Sequence, residues 1–238
     1  LLMSQMFNFA RRRETLFIRY LQAHHPVFRD PGTRIWFTEE LPTGIEGGDV
    51  LVLAPQAVAV GFSERTTEGA IEYVARGLMK RSPDLRQVLV IEIPAKRAYM
   101  HLDTVFTMVD RDKFLIYPGI RDQIRTYRLT LGSDSCLRAR AEEGLEPALE
   151  SALGLRHVEI IHSGGDDPIT SAREQWSDST NTLAIGPGVV ITYDRNEVTN
   201  RILRKHGIEV IEIEGSELVR GRGGPRCMSL PLLREDLE

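Results

Sequence analysis

Cys227 lies in a run rich in glycine and arginine, residues 221–228, close to the end of the sequence. Neighbouring cations favour a thiolate, and a thiolate is a nucleophile. The ordinary alternative for a cysteine is a small buried side chain, but glycines and arginines are typical of a loop. The run therefore predicts a nucleophilic Cys227, whereas Cys136, which has no such neighbours, is interpreted as incidental to function.

His101 and Asp103 form a second candidate pair, within residues 100–106. Residues two apart in a strand point to the same face, so a strand here would direct both side chains at one ligand. Histidine is the side chain that gains and loses a proton near neutral pH. We therefore expect His101 to act as a general acid and base, with Asp103 beside it.

Glu46 and Asp49 flank two glycines, Gly47 and Gly48, directly before an apolar run. Such a turn commonly faces solvent, but paired glycines also let a ligand approach the backbone, and buried carboxylates need a cationic partner. Carboxylates such as Glu46 and Asp103 suit a guanidinium, a planar cation with five donors. We predict a site for such a cation here, with Asp49 among the binding residues. No HExxH or CxxC motif is present, so no metal is predicted.

Arginines supply the opposite charge. Arg65 and Arg222 occur in loops next to the proposed pocket residues, where they could hold a carboxylate. Arg11 belongs to a basic run, 11–13, whose ordinary meaning is a solvated face. Acids at one end of a pocket and arginines at the other fit an amino acid with a cationic side chain.

A recurring set of elements must position these residues. The first copy has two strands within 50–60, a helix over 67–79 and a strand over 88–93. The last copy has strands within 182–192, a helix over 197–205 and a strand over 208–213. A looser copy between them has strands over 104–109, 114–117 and 157–161 and a helix over 142–152. Strands that alternate with helices indicate an α/β fold.

The chemically distinctive residues fall where the first strand of a copy begins. Equivalent positions in pseudo-symmetric units converge on one axis, because each unit must pack against its neighbours. The sequence therefore predicts one shared site that combines Glu46, Asp49, His101, Asp103, Asn181 and Cys227.

A length of 238 residues suits one large domain or two small ones. The net charge of −4 favours neither nucleic acid nor an anionic membrane as a partner, and no apolar run approaches the roughly 18 residues of a membrane helix. Two widely spaced cysteines fit a reducing cytoplasm. Because the sequence opens inside what looks like an ordered segment, we expect an amino-terminal piece to precede it.

Six runs of this sequence, in order, resemble the arginine deiminase family of guanidine-modifying enzymes: 10–15, 46–49, 62–66, 100–106, 173–176 and 221–228. The resemblance extends from about residue 8 to the end of the sequence. It implies a pseudo-five-fold α/β propeller of ββαβ modules, with residues 1–238 in one catalytic domain. It also implies hydrolysis of free L-arginine to L-citrulline and ammonia through a covalent thiouronium intermediate, with no cofactor.

The resemblance assigns roles residue by residue. Cys227 matches the nucleophile and His101 the general acid and base. Glu46 and Asp103 match the carboxylates that hold the guanidinium. The grip on the substrate carboxylate is matched by Arg11, Arg65 and Arg222.

Some features depart from the family pattern. The family's further guanidinium-binding aspartate lies in a segment upstream of the basic run, so we interpret the similar residues 28–31, which follow that run, as unrelated. About one module and an inserted helical bundle are expected to be absent from this chain. Arg226 precedes the cysteine where some members have histidine.

Other activities fit the same residues. The sequence also permits an amidinotransferase, a deiminase of agmatine or methylated arginine, or a non-catalytic binding protein on the same scaffold. Each could form a homo-oligomer.

Overall fold

The structure, a computed structural model, describes residues 2–3, 6–29, 36–37, 44–221 and 223–232. At the amino-terminal end, the short strands β1 (Leu2–Met3) and β2 (Trp36–Phe37) pair in parallel. The helix α1 (Arg13–His24) lies between them in the chain and buries none of its residues.

The first repeated unit consists of β3 (Val50–Ala54), β4 (Ala57–Phe62), the helix α2 (Glu68–Arg81) and β5 (Gln87–Glu92). The strands β3 and β4 form an antiparallel hairpin, and β5 lies parallel to β4 on its other side. This ββαβ order agrees with the predicted first copy.

The second unit has the same pairing over a longer stretch of chain. It comprises β6 (Phe106–Met108), β7 (Lys113–Ile116), the helix α3 (Leu145–Leu153) and β10 (Glu159–His162). The strand β7 is antiparallel to β6 and parallel to β10. The looser predicted copy is therefore also a ββαβ unit.

Between β7 and α3 the chain forms a hairpin that the sequence did not predict. Its strands, β8 (Arg125–Leu131) and β9 (Leu137–Ala141), extend the sheet of the first unit to the order β3-β4-β5-β8-β9. The strand β8 pairs antiparallel with β5. The hairpin thereby ties the second unit to the first.

The third unit follows the helix α4 (Pro168–Trp176), which was also not predicted. It consists of β11 (Leu183–Gly186), β12 (Val189–Tyr193), the helix α5 (Glu197–Lys205) and β13 (Glu209–Ile213). Again the first two strands are antiparallel and the third is parallel to the second. The described residues thus form a mixed α/β fold, as predicted.

The sheet of the first unit is covered on both faces. On one face, α2 packs its buried side chains against Val58 and Val88. On the other, Leu89 and Ile91 join a core that includes Phe106 and α3. Strands covered on both faces read as continuous apolar runs, which explains why these segments are so apolar. Each fully buried aliphatic side chain contributes roughly 1.5–3 kcal/mol.

Along the described parts of the chain, no helix combines the length and the apolarity that crossing a membrane requires.

The buried carboxylate of Glu174, in α4, caps the neighbouring helix α5. It accepts hydrogen bonds from the backbone N–H groups of Val198 and Thr199, both at 2.9 Å, and from the Thr199 hydroxyl at 2.6 Å. The first N–H groups of a helix have no partner within it. Glu174 therefore fixes the start of α5, and the next residue, Gln175, donates to the carbonyl of Ala98, close to His101.

We predict that Glu174→Gln lowers the free energy of unfolding by about 2–3 kcal/mol, because the helix loses a charged acceptor for three donors. Urea unfolding of the full-length protein measures the change. The control is Glu197→Gln, in the exposed first turn of the same helix, for which we expect about 0.5 kcal/mol or less. Equal losses in both variants would contradict the capping role.

Candidate active site

The carboxylate of Asp49 is fully buried at the end of a short 3₁₀ turn, Gly47–Asp49. One oxygen accepts hydrogen bonds from the hydroxyls of Ser63 and Thr66, both at 2.7 Å. The other accepts the backbone N–H of Leu102 at 2.8 Å. Burial raises the pKa of Asp49 to about 6, against the opposing effects of His101 and these hydrogen bonds. The structure thus places Asp49 where it joins three segments, with both oxygens engaged by protein donors.

Glu46 lies buried at the start of the same turn and contacts His101. The Oε2 of Glu46 is 2.7 Å from the Nε2 of His101, while Oε1 accepts the backbone N–H of Phe7 at 3.0 Å. Burial alone would raise the pKa of Glu46, but His101, the Phe7 N–H and the charge of Arg65 lower it below its usual value. The two side chains form an ion pair whenever His101 is protonated.

His101 does not lie in a strand, so the predicted same-face geometry with Asp103 is wrong. His101 has extended backbone and precedes a 3₁₀ turn, Leu102–Thr104, held by the hydrogen bond from Leu102 to Asp49. Burial would lower the pKa of His101, but the hydrogen bond to Glu46 and the charges of Asp49 and Asp103 raise it overall. The protonated imidazole is therefore favoured at this position.

Asp103 is fully buried and faces the loop that carries Cys227. Its Oδ2 lies 2.5 Å from the Nη1 of Arg226 and 3.9 Å from the Sγ of Cys227. Its Oδ1 is also buried and has no hydrogen-bond partner among the described residues. One oxygen of a buried carboxylate thus remains available to a donor.

Cys227 is exposed and lies in a turn whose backbone is held by Asn181. Its N–H donates to the Oδ1 of Asn181 at 2.9 Å. Although the residue is open to solvent, the protein mass around the sulfur, together with the charges of Asp103 and Asp178, raises the pKa of the Cys227 thiol to about 12. Burial above all, and then these two carboxylates, therefore disfavour the predicted thiolate in the ligand-free structure.

Asn181 is buried, and the sequence predicted it in the shared site from its position at the start of a repeated unit, without a chemical role. Besides holding Cys227, its Nδ2 donates to the backbone carbonyl of Asp103 at 3.2 Å. Its own carbonyl accepts the N–H of Arg226 at 3.3 Å. The available signal was positional, since Asn181 precedes the first strand of its unit just as Asp49 does.

The predicted arginines differ in their surroundings. The Nη1 of Arg65 lies 3.6 Å from Glu46, and both the Nε and the Nη1 of Arg65 are buried without a hydrogen-bond partner among the described residues. Arg11 is exposed and pairs with Glu14 at 2.9 Å; its pKa is raised by that hydrogen bond and by the charges of Glu14 and Glu46. Arg222 lies outside the described residues.

The structure therefore brings four of the predicted residues into one connected set: Glu46, His101, Asp103 and Cys227. The charge of Asp103 acts on both His101 and Cys227, and His101 contacts Glu46. A separate cleft of about 510 Å³, beside Ser63, Glu92 and Arg125, contains none of the four. In the described ranges, no three His, Cys, Asp or Glu side chains are grouped as metal ligands.

Sequence comparison identifies close relatives. The family model described as arginine deiminase matches residues 1–234. An arginine deiminase of Bacillus cereus (strain ATCC 10987 / NRS 248) is 51% identical over 241 aligned residues, which cover 100% of this chain and 59% of that protein. An arginine deiminase of Staphylococcus aureus (strain MRSA252) is 48% identical, over 98% of this chain and 58% of that protein. The chain thus spans about three-fifths of the length of these curated relatives.

Solved structures share the fold at low sequence identity. The N-terminal domain of ArgZ, a cyanobacterial arginine dihydrolase bound to its product, aligns with a TM-score of 0.65 at 15% identity, over 98% of this chain and 70% of that one. SxtG, an amidinotransferase from Microseira wollei, aligns with a TM-score of 0.64 at 14% identity, over 99% and 67% respectively. These likenesses establish the fold alone.

We predict that Gly48→Ala displaces the imidazole of His101, since an added Cβ would lie 2.8 Å from its Cγ and Nδ1. A longer contact with Glu46 would lower the pKa of His101, because the Glu46 hydrogen bond is the strongest influence that raises it. An NMR titration of the imidazole measures this. Gly47→Ala is the control, because nothing lies within 4 Å of its added Cβ; a His101 titration unchanged in both variants would refute the prediction.

A second prediction concerns the stability of Asp49→Asn. An unfolded aspartate ionises near pH 3.9, whereas folded Asp49 keeps its proton up to about pH 6, so the unfolded state binds fewer protons in this interval. The wild-type protein should therefore lose roughly 3 kcal/mol of stability relative to the variant as the pH rises through it. Urea unfolding near pH 4 and near pH 7 tests this, and the same difference at both pH values would contradict it.

Proposed function

The chain belongs to the arginine deiminase family, and we propose that its residues take part in the hydrolysis of free L-arginine to L-citrulline and ammonia. One observation carries the proposal. Within the described part of the chain, the Oδ1 of Asp103 is a buried acceptor without a hydrogen bond, and the Nε and Nη1 of Arg65, which lies beside Glu46, are buried donors without one. A ligand with a guanidinium and a carboxylate would satisfy both kinds of group.

In this proposal, Glu46 and Asp103 hold the substrate guanidinium. The substrate carboxylate is bound by Arg11, Arg65 and Arg222. Asp49 contributes to the binding site by holding together the segments that carry Glu46, Arg65 and His101, an assignment that its three hydrogen bonds support.

The reaction begins with the neutral thiol of Cys227. A guanidinium bound beside Asp103 lowers the pKa of this thiol, because a nearby cation favours the thiolate. The thiol loses its proton to solvent, and the resulting thiolate attacks the guanidinium carbon to form a tetrahedral adduct. The imidazolium of His101 then gives its proton to the departing ammonia as the carbon–nitrogen bond breaks. The raised pKa of His101 supports this acid role.

The second half of the reaction releases citrulline. The covalent thiouronium is attacked by water, and His101, now neutral, accepts the proton that the water loses. The carbon–sulfur bond then breaks, which yields the urea group of citrulline and restores Cys227. No step in this sequence calls for a cofactor.

We also propose that the three ββαβ units form part of a pseudo-five-fold α/β propeller within one catalytic domain. The repeated strand pairing and the fold shared with ArgZ support this arrangement. Cysteines without disulfide partners fit a cytoplasmic protein. We propose that the protein binds neither nucleic acid nor a membrane. We also propose that it assembles as a homo-oligomer.

We predict that the full-length protein releases citrulline from arginine and that Cys227→Ser lowers kcat by roughly 10³-fold or more. Cys136→Ser, which alters the other free and exposed cysteine, should retain the wild-type rate. A colorimetric citrulline assay measures all three proteins. Equal rates for Cys227→Ser and the wild type would end the nucleophile assignment.

The substrate that is used and the products that form distinguish arginine hydrolysis from the related activities. Agmatine has no carboxylate, so a protein that prefers agmatine would contradict the role given to Arg65. An amidinotransferase would form a new guanidino compound from an added amine instead of ammonia. A non-catalytic protein would bind arginine without releasing either product.

A further inference from the structure

Arg226, the residue before Cys227, connects three segments that are distant in sequence. Its Nη1 lies 2.5 Å from the Oδ2 of Asp103, 123 residues away, and its Nη2 donates to the carbonyl of Val50 at 2.8 Å, 176 residues away. Its backbone N–H donates to the carbonyl of Asn181. The side chain is only 19% exposed, so these contacts are largely shielded from solvent.

The two oxygens of Asp103 have different partners as a result. Arg226 occupies Oδ2, while Oδ1 is buried and has no hydrogen-bond partner among the described residues. A carboxylate can accept from two cations, one on each oxygen. A fixed contact on Oδ2 therefore determines the direction in which Oδ1 can receive a second cation.

We propose that Arg226 is a positioning residue that fixes the Cys227 loop against the His101–Thr104 turn and directs the Oδ1 of Asp103 towards the guanidinium of the substrate. The second half of this statement rests on the proposed function. The first half concerns the ligand-free protein and can be tested alone.

The guanidinium group suits this task better than an ammonium. Its planar fork donates in two fixed directions, here to a carboxylate and to a backbone carbonyl, whereas a lysine presents a single nitrogen. Among the described residues, Asn181 accepts from the Cys227 N–H and the Tyr193 hydroxyl donates to the Gly223 carbonyl, so both hold the backbone of this loop. The contacts made by its other side chains with distant segments are long, 3.9 Å from the Cys227 Sγ to Asp103 and 4.0 Å from Tyr193 to the Met228 Sδ. Arg226 thus supplies the short, charged link between the loop and the Asp103 carboxylate.

The first experiment compares hydrogen exchange of residues 223–228 in the full-length wild type, Arg226→Gln and Arg226→Lys without any ligand. We expect exchange roughly tenfold faster in Arg226→Gln and intermediate in Arg226→Lys, because the loop loses both or one of its side-chain links. The control is Arg204→Gln. Arg204 makes the same two kinds of contact, to Glu212 at 2.7 Å and to the Val210 carbonyl at 3.2 Å, away from the site. Unchanged exchange in Arg226→Gln would overturn the loop-fixing role.

The second experiment measures kcat and KM for arginine in the same four proteins, after thermal unfolding has shown that each is folded at the assay temperature. We expect kcat/KM to fall by roughly 10²-fold in Arg226→Gln, with a raised KM and a lowered kcat. Arg226→Lys should recover part of the loss, and Arg204→Gln should match the wild type.

Other outcomes overturn the proposal in distinguishable ways. A lower KM in Arg226→Gln would mean that Arg226 competes with the substrate for Asp103 instead of orienting it. If Arg226→Gln had unchanged kinetic constants but a lower melting temperature, Arg226 would form a structural ion pair and would not position the substrate. Absence of turnover in the wild type would refute the proposed function, while the exchange experiment would still decide whether Arg226 fixes the loop.

Discussion

The buried carboxylate of Asp49 is the constraint on which the rest of the site depends. A carboxylate without solvent is stable only when its oxygens are hydrogen-bonded, and the donors here come from the loop after β4 and from the backbone of Leu102. The hydrogen bonds to the Asp49 carboxylate therefore set the positions of the residues next to each partner. These are Glu46 before Asp49, Arg65 between the two hydroxyl donors, and His101 beside Leu102. One polar group thus arranges three others.

The same kind of contact continues from unit to unit. Asp49, at the start of the first unit, binds the start of the second at Leu102. Asn181, at the start of the third, binds the second at the Asp103 carbonyl and also holds the loop of Cys227. Because the first and third units both use a polar side chain at their start to hold the start of the second, the candidate site residues meet at the junction of the units. No single unit contains the site.

The carboxylates of the ligand-free site favour positive charge near them. Burial and nearby carboxylates keep Cys227 as a thiol, while carboxylates favour the protonated form of His101. A neutral thiol reacts slowly with adventitious electrophiles, since the thiolate is the nucleophile. In the proposed mechanism, the reactivity of the cysteine therefore depends on the arrival of a positively charged substrate.

Local patterns were sufficient for the repeated elements: the helix α5 begins and ends where amphipathic periodicity predicted, and Pro55 marks the break between β3 and β4. The β8–β9 hairpin was missed because its second strand is arginine-rich and largely exposed, which weakens the alternation that identifies strands. The sequence by itself determined the ββαβ units and the types of reactive group. Only the tertiary structure decided the turn at His101, the pairing of Asp103 with Arg226 and the protonation of Cys227, because each depends on burial and on charges from distant segments.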